Sequence, residues 1–138
     1  MAFNLDFIIE GGNFSKAGKA SSQIKKVLKQ LDIDTKIIKS IVVAIYEAEV
    51  NVAAHAYSGR LTANIAENEI EIVVTDEGPG IEDIDKAMEA GFSTASKEVR
   101  EMGFGAGMGL PNIKKNTDEM KIESKVGEGT TLRFKCFY

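Results

Sequence analysis

The stretch Ile70-Glu71-Ile72-Val73-Val74-Thr75-Asp76-Glu77-Gly78-Pro79-Gly80-Ile81 passes from a run rich in β-branched residues into a cluster of Asp, Gly and Pro. That is the pattern of a strand ending at a tight turn. Residues 61–66 read as another strand, and Glu67-Asn68-Glu69 joins the two, so the pair predicts an antiparallel hairpin. Two strands, 120–125 and 130–137, close the chain around Val126-Gly127-Glu128-Gly129. Leu132, Phe134 and Cys136 alternate with Arg133 and Lys135, as expected of a sheet with one buried face. At the other end, residues 3–10 predict a first strand stopped by Gly11-Gly12.

Helices fill the gaps. Ala17, Ala20, Ile24, Val27, Leu28 and Leu31 recur at spacings of three and four with lysines between them, which predicts an amphipathic helix. Asp34 is placed to cap a second helix over residues 35–57, with Ile38, Ile41, Val42, Ile45, Ala48 and Val52 as its apolar stripe. Residues 82–90 predict a short helix, and 111–116 another with Pro111 in its first turn. The order βααββααββ predicts a single α+β domain over 1–138. We expect a two-layer α/β sandwich, its mixed, mostly antiparallel sheet covered by helices on one face. Phe137 and Tyr138 leave an apolar end that would suit an interface, and a homodimer is compatible with it.

Composition bounds the function. The chain has 138 residues and a formal charge of −4, with no basic block, which argues against nucleic-acid binding. Cys136 is the sole cysteine, so no internal disulfide or zinc cluster is available. No apolar run approaches the roughly 20 residues of a membrane span, and the start MAFNLDFIIEGG lacks a signal-peptide pattern, so the expectation is a cytoplasmic protein off the membrane. Nine of the 13 glycines lie between Gly78 and Gly129, which directs attention to that stretch.

Four groups of residues can carry chemistry. Glu47, Asn51 and His55 share one face of the second helix, away from its apolar stripe. A solvated polar face accounts for that spacing. Alternatively, Glu47 acts as a general base and Asn51 offers a neutral oxygen to a hard cation such as Mg²⁺. His55 reads more simply as a helix C-terminal residue interacting with nearby carbonyls. Asp76-Glu77-Gly78-Pro79-Gly80-Ile81 is either a plain turn or a place where glycines admit a flat ligand while Asp76 accepts from its amino group. Gly103-Phe104-Gly105-Ala106-Gly107-Met108-Gly109-Leu110 precedes a helix, where backbone N–H groups and the helix dipole suit a phosphate chain; a loop with no ligand is the simpler reading. It is neither G-x-x-x-x-G-K-[ST] nor G-x-G-x-x-G, and no H-R-D or D-F-G segment is present. Finally, Gly127-x-Gly129-Thr130 is a hairpin turn whose Thr130 hydroxyl can meet the same ligand edge as Asp76.

In this order, E-x-x-x-N (Glu47 to Asn51), D-x-G-x-G (Asp76 to Gly80), a glycine lid ending at Gly107 to Leu110, and G-x-G-T (Gly127 to Thr130) resemble the Bergerat ATP-binding fold, which includes gyrase, Hsp90, MutL and histidine kinases. The resemblance covers about residues 35–138. The stretches AMEAGFSTAS, GMGLPNIKK and DEMKIESKVGEGTTL look like bacterial anti-sigma-factor and stressosome switch kinases of the RsbT and RsbW type. It implies ATP and Mg²⁺ as cofactors, with Asn51 holding the metal against the phosphates and Glu47 activating the attacking hydroxyl. Asp76 would read the adenine amino group, beside Gly78, Gly80 and Ile81. Gly105, Gly107 and Gly109 would wrap the phosphates, Met108 and Leu110 would position the lid and its helix, and Thr130 would support adenine recognition. Extra glycines at 103 and 105 depart from the family pattern, and Lys97 and Arg100 are candidates for a partner or γ-phosphate contact.

The resemblance implies a serine/threonine kinase acting on a STAS-domain protein. The alternative is a nucleotide-gated binding module that sequesters a sigma factor or activates a phosphatase with little transfer. A detached histidine-kinase catalytic domain is less favoured, since no dimerisation helices precede the first strand and His55 lies within the ATP-binding helix.

Overall fold

The computed structural model describes residues 3–89 and 109–138. In chain order these form β1 (Phe3–Glu10), a 3₁₀ turn (Phe14–Lys16), α1 (Lys19–Gln30), α2 (Thr35–His55), β2 (Ser58–Ile65) and β3 (Glu69–Glu77). Then come α3 (Ile84–Ala87), α4 (Gly109–Lys115), β4 (Glu119–Lys125) and β5 (Gly129–Phe137). The expected elements are present, with ends displaced by a few residues.

The five strands are ordered β1-β2-β3-β5-β4. The anticipated mixed, mostly antiparallel sheet is antiparallel at every described pairing. β5 lies between β3 and β4, so the sheet's centre joins segments far apart in sequence: Val74 pairs with Leu132 and Ile72 with Phe134. Alternation sets the buried face. Leu61, Ala63 and Ile65 of β2, Ile70, Ile72 and Val74 of β3, and Leu132, Phe134 and Cys136 of β5 all point into one core. Ile24 and Leu28 of α1, Ile41 and Ile45 of α2, and Leu110 and Ile113 of α4 fill it from the helical layer.

The opposite face is mostly polar, with Ile8 of β1 exposed on it. Arg60 pairs with Asp6 at 3.6 Å, Arg133 with Glu71 at 3.7 Å, and Lys135 reaches Glu69 and Glu71 at 3.5 and 3.6 Å. Such exposed pairs contribute little individually, and their role is to keep this face wet. At the chain's far end, the Tyr138 hydroxyl reaches the carbonyls of Ala66 and Glu69 at 2.6 and 2.9 Å, and its N–H donates to Asn68 O at 3.0 Å. Tyr138 thus ties β5 to the β2–β3 turn, leaving Phe137 as the exposed part of the apolar end.

Cys136 is buried between β5 and α4, its thiol 3.7 Å from the carbonyl of Asn116. Burial, with a smaller push from the Asp118 charge, raises its thiol to about 11. Only thiolate reacts with a disulfide reagent. At pH 8 the native protein should therefore react with Ellman's reagent slower than the urea-unfolded chain by on the order of a hundredfold, read at 412 nm on the two samples.

Candidate functional site

Helix α2 brings most of the polar candidates to one place. Asp34 caps its start by accepting from Lys36 N–H at 2.8 Å, and its apolar stripe packs on the sheet. Glu47 and Asn51, one turn apart, emerge on the flank facing α4. A Cβ on Gly109, the first residue of α4, would lie 3.5 Å from Glu47 Oε2 and 3.8 Å from Asn51 Oδ1. Both side chains are half-buried. Desolvation raises the Glu47 carboxyl above the ordinary range, opposed by a hydrogen bond from the Asn112 side chain on α4. Leu110 is buried in the core beside Ile113, which fixes α4 against α2. His55 is the last residue of α2 and half-buried.

A second group forms where β3 ends. Asp76 Oδ1 accepts from Thr130 N–H at 3.1 Å, and burial raises the carboxyl while that hydrogen bond lowers it. The turn after β3 and the β4–β5 turn interlock. Gly127 N–H donates to Pro79 O at 2.9 Å and Gly78 N–H to Glu128 O at 3.4 Å. Gly80 has φ +75°, and a Cβ there would collide with the carbonyl of Lys125. Gly129, at φ +146°, lies against the carbonyl of Asp76 in the same way. Only glycine serves at these two positions. Gly78 packs on Ala56 at the end of α2, and Ile81 is half-buried against the core, its N–H donating to Ser124 Oγ at 2.8 Å. A recess of about 330 Å³ opens beside Asp76, Ser124, Gly129 and Thr130. A larger cleft of about 640 Å³ lies at the opposite end of the sheet, beside Phe3, Leu31, Ile65 and Tyr138, and holds none of these groups.

The lid candidates Gly105, Gly107 and Met108 lie outside the described residues, as do Lys97, Arg100 and Gly103. Among the described residues, no cluster of three His, Cys, Asp or Glu can hold a metal alone. Asn51 Oδ1 and the Glu47 carboxylate are hard oxygen donors, suited to Mg²⁺ only if phosphate oxygens and waters complete its shell. The donor set therefore fits a metal that arrives with a phosphorylated ligand.

Three residues were missed by sequence reasoning. Glu49, only 2% exposed, accepts from Gly18, Ala20 and Ser21 N–H at 3.0, 3.1 and 2.9 Å, capping the start of α1 from the side of α2. Its signal was a carboxylate next to the apolar stripe, which burial permits only with partners. Asn112 and Ser124 carried no spacing signal of their own.

An α+β layer that collects a carboxylate, an amide and a helix start on one side and a carboxylate between glycine turns on the other has the form of an ATP-binding domain. The model described as "Histidine kinase-like ATPase domain" matches residues 14–136, and the chain belongs to that family. It is 40% identical over 109 residues to the anti-sigma F factor of Caldanaerobacter subterraneus subsp. tengcongensis, covering 75% of this chain and 73% of that one. It is 35% identical over 113 residues to the serine/threonine-protein kinase RsbT of Bacillus subtilis, covering 79% of each. Among solved structures, a chain of the SiaB–SiaC complex from Pseudomonas aeruginosa superposes with TM-score 0.60 at 11% identity, covering 97% of this chain and 89% of that one, and so shares the fold. Among the described residues no helix is long and apolar enough to cross a membrane.

Removing the Glu49 carboxylate strands the N–H groups at the head of α1. Glu49→Ala should lower unfolding free energy by about 3–5 kcal/mol, since an unmet buried donor costs about 1–3 kcal/mol and water re-enters only partly. Urea denaturation checks this, and a loss below about 1 kcal/mol contradicts the capping role.

Proposed function

We propose that this protein is an ATP-dependent serine/threonine protein kinase working as a partner-switching regulator, an anti-sigma factor or stressosome switch kinase whose substrate is a STAS-domain protein. The family and the names of its relatives support the class. The single observation that carries the chemistry is the placement of Glu47 and Asn51 together against the first residue of α4.

In this reading ATP lies with its base at Asp76, Gly78, Gly80, Ile81 and Thr130. Its phosphates lie at Gly109 and the start of α4, with Gly105, Gly107 and Met108 as lid contacts and Leu110 holding that helix in place. Asn51 Oδ1 is the protein's ligand for Mg²⁺, which supplies neutralisation of charge on the phosphates. Glu47 accepts the proton of the incoming Ser or Thr hydroxyl. The hydroxyl oxygen bonds to the γ-phosphorus as the bond from that phosphorus to its bridging oxygen breaks, releasing ADP. Such a transfer depends on positioning and charge stabilisation more than on covalent help. Glu47 suits the base role because its half-buried carboxylate has no salt-bridge partner among the described residues, while desolvation moves its proton affinity toward neutral pH.

Glu47→Gln should leave ATP binding within about threefold and cut transfer by on the order of 10²–10⁴, the span of general base catalysis. In the wild type the rate should rise with pH as Glu47 loses its proton, with a midpoint above the ordinary glutamate value because burial raises it; the Gln variant should lack this limb. Wild-type transfer to a STAS protein by Glu47→Gln overturns the assignment.

The relatives named anti-sigma F factor favour a second reading, in which sequestration of a sigma factor dominates over transfer. There, ATP and Mg²⁺ should change partner affinity by tenfold or more in calorimetry, about 1.4 kcal/mol. Equal affinity with and without nucleotide contradicts it.

A further inference from the structure

The cleft of about 640 Å³ at the end of the sheet away from Asp76 takes no part in the nucleotide reading. Its floor is apolar. Ile65 is fully buried, Ile33 and Ile37 are half-buried, and Phe3 and Leu31 remain 44% and 39% exposed. Phe3 pairs with Ile65 and Ile65 with Ile70, so the ends of three strands meet here under the turn between α1 and α2. Tyr138 also lines the cleft, with its hydroxyl held by the carbonyls of Ala66 and Glu69. The volume falls in the range of about 300–1,000 Å³ that binding clefts occupy.

Among the described residues the rim of this cleft carries Asp32, Asp34 and Glu67 and no cation. Asp34 is accounted for, since it caps α2. The backbone does not account for the other two. Asp32 sits at φ +59°, a conformation that Gly or Asn fills without a charge. Glu67 follows β2 in the turn to β3, where backbone preference favours Asn, Asp or Gly. On the open face of the sheet, Asp6, Glu69 and Glu71 are each matched by Arg60, Arg133 or Lys135. The three carboxylates of the cleft make no ion pair among the described residues. The last carbonyls of α1, which ends at Gln30 beside Leu31, add partial negative charge.

An apolar floor attracts any apolar side chain, but unpaired carboxylates around it select the sign of what arrives, because like charge placed opposite them is costly. We propose that this cleft docks a segment of a partner protein that presents a large apolar side chain beside Lys or Arg. The apolar side chain fills the floor at Phe3, Leu31 and Ile37, and the cation meets Asp32 and Glu67. This goes beyond the kinase reading and does not depend on it. The cleft and Asp76 lie at opposite ends of the sheet, so a segment docked here leaves the recess beside Asp76 uncovered.

The test selects random peptides displayed on phage against the wild-type protein. A synthetic copy of the most enriched peptide is then measured by calorimetry and by amide shifts of the isotope-labelled protein. Enriched peptides should carry Phe, Leu or Trp next to Lys or Arg, and the shifts should centre on residues 31–37 and 65–67. The double variant Asp32→Asn, Glu67→Gln keeps the shape of both side chains and should weaken binding about fivefold or more. Leu31→Ser, which removes part of the floor, should weaken it about tenfold. Added salt should weaken binding to the wild type and spare the double variant, which has lost the screened charges. Melting temperature, recorded for each protein, should stay at the wild-type value because all three side chains are exposed. Failure to enrich any peptide, enrichment of acidic or uncharged ones, or shifts centred elsewhere overturns the proposal. So does undiminished affinity in the double variant or in Leu31→Ser. If Leu31→Ser instead turns a wild-type dimer into a monomer in sedimentation, a second copy of the chain fills the cleft and the partner proposal is overturned. None of these outcomes bears on the ATP reading.

Discussion

The rotation of α2 about its own axis is the constraint on which the site depends, and one buried carboxylate sets it. Residues on a helix advance by about 100° each, so Glu47 and Asn51 are only about 40° apart while Glu49 points to the opposite side. There Glu49 takes the N–H groups at the head of α1. The apolar stripe presses α2 onto the sheet, but apolar packing tolerates small rotations. Hydrogen bonds to a charged group tolerate them less, because distance and angle are both specified. Holding the back of α2 in this way aims Glu47 and Asn51 at the first residue of α4.

The same helix links the two halves of the site. Its C-terminal turn carries Ala56, on which Gly78 packs, and the N–H of Tyr57 donates to Glu77 O at 2.8 Å at the end of β3. The proposed catalytic carboxylate and the proposed base-reading carboxylate thus hang from one rigid rod and the strand end it touches. Sites built on regular elements hold their geometry more closely than sites built on loops.

Much of the fold was legible because it rests on periodicity. The spacing of Ile38, Ile41, Ile45 and Val52 marked α2, and the alternation around Phe134 marked β5. The placement of β5 beside β3 was not legible, since pairing Val74 with Leu132 depends on closure over a long chain segment and no local pattern encodes it. At the site, the motif residues Asp76, Gly80 and Gly129 were visible as turn chemistry, whereas their mutual contacts were not. Gly80 and Gly129 face carbonyls of Lys125 and Asp76, partners on the other turn. Ser124 and Asn112 escaped for a related reason. A lone serine in a strand or asparagine in a helix looks like surface polarity until tertiary structure brings a second polar group to it. Glu49 was discoverable, because a charge bordering an apolar stripe demands an explanation.

The interlocked turns that join β3 to the β4–β5 hairpin have an energetic meaning for any ligand that binds between them. Gly127 N–H to Pro79 O, Ile81 N–H to Ser124 Oγ and Thr130 N–H to Asp76 Oδ1 are all closed by the protein on itself. A ligand entering there finds donors and acceptors whose conformational entropy was surrendered when the chain folded, so its binding free energy is not diminished by ordering them. Preorganisation of this kind makes the proposed base end a fixed template, whose affinity for its ligand should depend little on which partner protein is docked elsewhere.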